Sequence, residues 1–431
     1  MAHGPSTGAP NPNERKDSHM SSWVKRALLC AAFVAGMLAL GGGVASATEP
    51  PPPGSGGGID QTQTGSNTND TDQSSDAYAE TSQVNVNAPI SILSWNSNNG
   101  DVTQSNDATT TAVAANDNET AQWIDQGQSA STDGSSCDPC GGSGDISQSQ
   151  DGSNSNETTQ SSSADASTSQ VNVNAPISIL SWGSNNGDVT QSNSADTTAV
   201  AANQNDTTQG IAQDQWAFAG GSGGSDCGCR KDGDGGDVSQ SQNASNSNST
   251  SQDADATAST EQENVNAPYS DGSVGDACGC QPSDHSVQDG CGCFGSHGDD
   301  VTQTNGASTT AVAANGNGTW QSIGQTQQAA TGGSDGSYGS GVPCTCDPVH
   351  ANGGDISQSQ NGSNTNGTDQ TANADASTSQ ENANEPYSKR SFGGGDVTQG
   401  NGASTTAQAL NGNATGQWID QAQSAATGGD D

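Results

Sequence analysis

Every second residue from Val102 to Gln128 reads Val, Gln, Asn, Ala, Thr, Ala, Ala, Asn, Asn, Thr, Gln, Ile, Gln and Gln, and the same walk from Val189 to Gln215 returns the same series. The residues between them are loose and acidic: Asp107, Asp117, Glu119 and Asp125 in one copy stand where the other has Ser194, Gln204, Asp206 and Asp214. Side chains of a strand alternate between faces. A period of two that holds on one set and drifts on the other predicts β-strands with a fixed, mostly polar face turned inward and a variable face turned to solvent. A fixed face of that kind is what an interior looks like when identical rows stack.

The strictest recurrence is the skeleton NxNxTxQ, found eight times with no change of spacing. It places Asn67, Asn69 and Gln73; Asn116, Asn118 and Gln122; Asn154, Asn156 and Gln160; Asn203, Asn205 and Gln209; Asn246, Asn248 and Gln252; Asn315, Asn317 and Gln321; Asn364, Asn366 and Gln370; and Asn411, Asn413 and Gln417. Two types alternate. An upstream glutamine lies six residues before the first Asn in one (Gln61, Gln148, Gln240, Gln358) and twelve before it in the other (Gln104, Gln191, Gln303, Gln399). Paired, they give four tandem units, 59–143, 144–235, 236–353 and 354–431, unequal because Gly, Ser, Asp and Cys-rich inserts separate the half-repeats. Fixed repeats with variable inserts are expected of packed coils joined by surface loops.

The physical account is a ladder. Asn and Gln side chains stacked at the strand spacing of about 4.8 Å can bond donor to acceptor in every layer. Each bond is worth only about 0.5 to 1.5 kcal/mol net, but several rows through several layers multiply it. The expected fold class is all-β: tandem strand-turn-strand repeats stacked as a β-solenoid, with long flexible inserts and room for substantial disorder. Simple disorder is the competing reading of Gln, Asn, Ser and Gly-rich sequence, and the intervals kept inside the motif argue against it. Asn-Gly steps such as NGNG from Asn315 place a turn of each half-repeat near the NxNx positions. An NxT glycosylation sequon lies within the skeleton, but it explains neither the preceding Asn nor the Gln two residues on.

Hydrophobic burial cannot carry this fold alone. Leu, Ile, Val and Phe number 34 of the 384 residues from Thr48 onward, about 9% against the roughly 20% below which a highly charged chain is expected to be disordered. The 48 acidic and 8 basic residues of the chain, less two acidic and four basic before Thr48, leave a formal net charge of −42. Nucleic acid is therefore excluded as an expected partner. Residues 1–19 read as a polar extension, and 20–47 as a secretory signal peptide, with Lys25 and Arg26 before the apolar run Ala27 to Leu40 and a small-x-small cleavage pattern ending at Ala47. That run is too short to span a bilayer, so the mature chain is expected to have no stable membrane anchor. Residues 48–58 are a Pro/Gly linker.

In QDGSNSNETTQ, residues Gln150, Gly152, Asn154, Asn156 and Gln160, and in QNGSNTNGTDQ, residues Gln360, Gly362, Asn364, Asn366 and Gln370, the chain resembles the curlin repeats of bacterial curli. The resemblance covers the eight half-repeats and implies strand-turn-strand amyloid coils in a secreted, self-assembling subunit. The half-repeats here are longer than curlin units, and the cysteine-rich inserts are foreign to that pattern.

Ten cysteines follow the signal peptide, all in close pairs within inserts: Cys137 with Cys140, Cys227 with Cys229, Cys278 with Cys280, Cys291 with Cys293, and Cys344 with Cys346. An even count in a secreted chain reads as disulfides, and strain within a CxC pair sends the partners to different inserts or molecules. A weaker alternative surrounds one zinc with Cys278, Cys280, Cys291 and Cys293, near His285 and His297. The Asp-rich stretch KDGDGGD from Lys231 matches no complete calcium loop; acidic residues on exposed positions more simply oppose sideways aggregation. VNVNAPISILSW, from Val84 and again from Val171, reads as a strand packed within the first two units, with a sticky patch for nucleation as the competing reading. Trp123, Trp320 and Trp418 are placed to form an outward aromatic row.

Nothing in the pattern calls for catalysis or a cofactor: three histidines follow the signal peptide, none within the repeats, and no nucleophile motif or phosphate loop is present. The expected function is a secreted structural repeat protein forming a fibre or extracellular matrix at a bacterial surface, its partners being itself or other matrix proteins. The alternatives are a soluble acidic solenoid that binds calcium, ice or a surface ligand, and a disordered acidic polymer crosslinked through cysteine.

Overall fold

Asn, Gln, Ser and Gly are poor strand formers in isolation, yet here they build strands several times the usual length, because each stacks on its own likeness in the next layer. The computed structural model describes residues 58–93, 100–133, 144–180, 187–221, 236–271, 300–333, 354–388 and 396–427. They form twelve strands: β1 (Ile59–Asn87), β2 (Ile90–Ile92), β3 (Val102–Asp133), β4 (Ile146–Asn174), β5 (Ile177–Ile179), β6 (Val189–Gly221), β7 (Val238–Asn266), β8 (Tyr269–Asp271), β9 (Val301–Gly333), β10 (Ile356–Asn384), β11 (Tyr387–Ser388) and β12 (Val397–Thr427). Each unit supplies a long, a short and a second long strand, which together make one rung.

Three parallel sheets run through the four rungs, ordered β1-β4-β7-β10, β2-β5-β8-β11 and β3-β6-β9-β12. The fold is an all-β solenoid. Register is strict: Asn67 pairs with Asn154 and Asn154 with Asn246, Gln122 with Gln209 and Gln209 with Gln321. Strand-turn-strand describes the whole unit. The turn expected near the NxNx positions is not there, since Asn67, Asn116 and their equivalents sit inside uninterrupted strands of 29 to 33 residues. The reason is the ladder itself: an Asn-Gly step with a hydrogen-bonding copy above and below stays extended, and its glycine points outward. Positive φ among the described residues occurs instead just after the short strand and just before the second long one, at Leu93 (φ 54°) and Gly100 (φ 71°) in the first rung and at Leu180 (φ 52°) and Gly187 (φ 72°) in the second. A Cβ on Gly187 would also meet the Gly100 carbonyl oxygen.

The two long sheets face one another, with strands running in opposite directions within a rung. Gln61 Nε2 donates to the Ser129 carbonyl, Gln73 Nε2 to that of Asp117 and Gln83 Nε2 to that of Asp107. The interior between them is thin, lined by alanine: Ala112, Ala114, Ala164, Ala166, Ala199 and Ala201 belong to one buried cluster. Where one side is large the other is small. Ile211 lies against Gly152, whose added Cβ would be 2.9 Å from the isoleucine methyl.

VNVNAPISILSW departs from the expectation of apolar packing. Its described residues 84–93 and 171–180 end β1 and β4 and supply the short strands β2 and β5, but Asn85 and Asn87 bond inward along the stack while Val84, Val86, Ile90 and Ile92 are exposed, and Val171, Val173, Ile177 and Ile179 of the second rung are half-buried. An interior built of amides leaves the apolar set to the outside.

Candidate functional site in the amide ladders and the edges they leave

Among the ladder residues, Gln columns and Asn columns bond in opposite directions. Gln209 donates from Nε2 to Gln122 Oε1 at 2.7 Å, Gln321 to Gln209 at 2.8 Å and Gln417 to Gln321 at 2.7 Å, so protons point from the fourth rung toward the first. Asn118 donates from Nδ2 to Asn205 Oδ1 at 2.7 Å, Asn205 to Asn317 at 2.8 Å and Asn317 to Asn413 at 2.9 Å, which is the reverse. The glutamine columns that begin at Gln61, Gln73, Gln83, Gln104 and Gln126 follow the first rule. Those that begin at Asn67, Asn69, Asn85, Asn87, Asn106 and Asn116 follow the second.

The second amide hydrogen is used across the sheets. Gln122 Nε2 also reaches the Ser155 carbonyl at 3.0 Å and Gln160 Nε2 that of Gln204 at 2.9 Å. Asn156, 2% exposed, shares its hydrogens among Asn248 Oδ1, Thr158 Oγ1 and Thr207 Oγ1. Burying so many amides is tolerable only because each is bonded. The same contacts explain why one motif occurs twice in a unit. Asn67 reaches the Trp123 carbonyl and Gln73 that of Asp117, so the two NxNxTxQ runs of a rung lie antiparallel, face to face. Asn154, Asn203, Asn246, Asn248, Asn315, Asn364, Asn366, Gln252, Gln370 and Asn411 occupy the equivalent ladder positions.

One row was missed by sequence reasoning. Thr110 donates to Thr81, Thr168 to Thr110, Thr197 to Thr168, Thr260 to Thr197, Thr309 to Thr260 and Thr378 to Thr309, all at 2.7 to 2.9 Å, with Thr405 3.0 Å from Thr378. This hydroxyl zigzag crosses between the long sheets at every half-rung. Its signal was present as a threonine 14 residues after the first Asn of the skeleton in one type of half-repeat and six before it in the other, but no spacing along the chain reveals that the two offsets meet.

The tryptophans are exposed, as expected, but do not form one row. Trp123 and Trp418 share a column with Gly210 and Ser322 between them, whereas Trp320 stands in the neighbouring column with Thr208 and Gly416. Two of them cover a glycine: an added Cβ on Gly210 would run into the Trp123 ring, and one on Gly416 into that of Trp320. A different row, Tyr269 over Tyr387, is stacked with centroids 5.2 Å apart.

Aspartates mark the strand starts. The backbone N–H of Asp188 donates to the Asp101 carboxylate, Asp300 to Asp188 and Asp396 to Asp300, and Asp237 and Asp355 repeat this on the opposite sheet. On the outer face, burial raises the Asp117 carboxyl above its ordinary range, with Asp206 and Glu119 adding repulsion. Burial likewise raises Asp253, with Asp255 beside it. Among the described residues no group of His, Cys, Asp and Glu is arranged to hold a metal ion, and no helix is long and apolar enough to cross a membrane.

The disulfide expectation falls outside the described residues in full, since Cys137, Cys140, Cys227, Cys229, Cys278, Cys280, Cys291, Cys293, Cys344 and Cys346 all lie there. So does the zinc alternative at Cys278, Cys280, Cys291 and Cys293, together with His285, His297, residues 231–235 of the Lys231 stretch and the cleavage position Ala47.

At the two ends of the stack the ladders stop. Strand β12 is exposed along nearly its whole length, and Gln417, Gln421 and Asn413 bond only toward the rung beneath. Comparison with protein-family models, curated proteins and solved structures finds no match to this chain.

Proposed function

We propose that this chain is a secreted structural protein that assembles end to end, through its first and fourth rungs, into a surface fibre or extracellular matrix. The observation that carries the reading is the exposed ladder edge at β12. Strand edges with unpaired backbone and side-chain groups recruit further strands, and here every buried row that satisfies an amide inside the stack ends in an amide without its next layer. The acidic outer face supports the same reading, since like charge along the sides opposes lateral clumping while the ends stay open. The likeness to curlin repeats agrees with it, and secretion rests on the signal-like segment before Thr48. The chain has a structural role and is not an enzyme in this reading.

Circular dichroism of the purified mature chain, fresh and after days of incubation, with fibre diffraction of any sediment, tests it. Sedimenting β-rich material with reflections near about 4.8 and 10 Å is expected. A β-rich chain that remains monomeric would favour the soluble solenoid as a binding module.

A further inference from the structure

We propose that a second copy of this chain joins in one polarity and one register only, its first rung seated on the fourth rung of the copy before it. The inference rests on the end-to-end assembly reading and specifies the joint. Three kinds of row agree on the direction. In the first rung the Gln122 amide spends one hydrogen on the Ser155 carbonyl and its oxygen on Gln209. Its other hydrogen points away from the stack, as the Gln417 oxygen does at the opposite end. Seated in register, Gln122 Nε2 of the incoming copy donates to Gln417 Oε1. The asparagines match with the opposite sense: Asn413 Nδ2 donates to Asn118 Oδ1 of the incoming copy, continuing the run from Asn118 through Asn205 and Asn317.

The hydroxyl zigzag gives the second row. Each threonine donates to the one before it, so Thr81 accepts from Thr110 and has its own proton to give. Across the joint that proton reaches Thr405. The strand starts give the third: the Asp396 carboxylate stands where Asp101 and Asp188 each accept a backbone N–H from the rung above, and the Asp101 N–H of the incoming copy fills it.

Reversed joints lose all three. Turning one copy over about any axis perpendicular to the stack makes adjoining strands antiparallel, so identical residues no longer meet and the ladders that hold the interior end at the joint. Charge favours the direct joint as well. By register, Asp70, Asp76, Asp107 and Asp117 of the incoming copy stack on Gly367, Asn373, Gly402 and Gly412, while the like-charge encounters are Asp72 on Asp369, Asp125 on Asp420 and, at the strand start, Asp101 on Asp396, where the backbone N–H bond bridges the pair. Like charges directly opposite on a sheet are destabilising, and most of the first rung's acids escape that.

The test is photocrosslinking in the full mature chain. Ser74 and Thr371 share one outward column through Ser161 and Asp253. The photoreactive residue p-benzoylphenylalanine is placed at Ser74, next to a face that already carries the exposed Tyr78. Sedimented material is irradiated, covalent dimers are isolated and the attachment site is read by mass spectrometry. Attachment near Thr371 of the other copy, and near Ser74 in the reciprocal Thr371 variant, is the expected result. Attachment of Ser74 to the β1 or β3 region of another copy would overturn the polarity while leaving end-to-end assembly intact, and attachment elsewhere would overturn the joint itself. Failure of the unsubstituted chain to sediment would overturn the assembly reading and this inference with it.

Discussion

At the scale of single residues, stability resides in polar side chains that have left water and must be paired. Thr197 is fully buried and bonds both Thr168 and Thr260. Thr197→Val keeps the shape and removes the hydroxyl, leaving Thr260 without its acceptor; the expected loss is about 1–3 kcal/mol in guanidinium unfolding, against no measurable change for the outward Ser251→Ala. The glycines under the tryptophans behave differently. Gly210→Ala puts a methyl into the Trp123 ring, and because that ring is 57% exposed it can swing away. The expected outcome is red-shifted tryptophan emission with stability unchanged to within about 0.5 kcal/mol.

At the scale of strands, position in the stack decides what a substitution does. The N–H groups of inward residues Ile59, Val102 and Ile146 reach the rung above, while those of outward Asp188 and Asp237 turn to the rung below. Alternation therefore points the N–H of Ser74, outward on the first rung, out of the edge, whereas that of Ser161 in the same column is within the sheet. Proline lacks that N–H. Ser161→Pro should abolish the β signal of the mature chain in circular dichroism, and Ser74→Pro should preserve it. The acidic outer rows set a pH response. Because burial and the neighbouring Asp206 and Glu119 raise the Asp117 carboxyl in the folded state, the folded chain takes up that proton before the unfolded chain does. Stability then rises as pH falls through the raised value, and the gain stops below the ordinary carboxylate range. Asp253 acts in the same sense. Thermal unfolding between pH 7 and 4 should show the rise, and Asp117→Asn should flatten part of it.

At the scale of the whole molecule, four rungs behave as a quasi-one-dimensional stack in which each layer is held by its neighbours. The central rungs have two, the end rungs one. Exposure follows: Gln150, Asn154 and Gln242 are fully buried, whereas the burial of β12 is lost almost throughout. Added copies convert end rungs into central ones, so unfolding of the mature chain should become concentration-dependent, with a higher midpoint in sedimented material than in dilute monomer. A midpoint independent of concentration would count against end-to-end assembly.

The sequence by itself determined the all-β class, the four units, the inward and outward sets and the identity of the ladder residues, because a period of two repeated at fixed offsets leaves no other way to stack like on like. Asn205 and Gln209 could be named as ladder members from spacing alone. Only the tertiary structure decided that each half-repeat is one strand rather than two, that the paired NxNxTxQ runs face each other, that Thr81 meets Thr110 and that Val84 and Ile90 face out. Those are relations between segments that lie tens of residues apart, fixed by which sheet faces which and not by any interval along the chain. The opposed directions of the Asn and Gln ladders belong to the same class, since a side-chain amide acquires a direction only when a second rung and an opposing carbonyl are both in place.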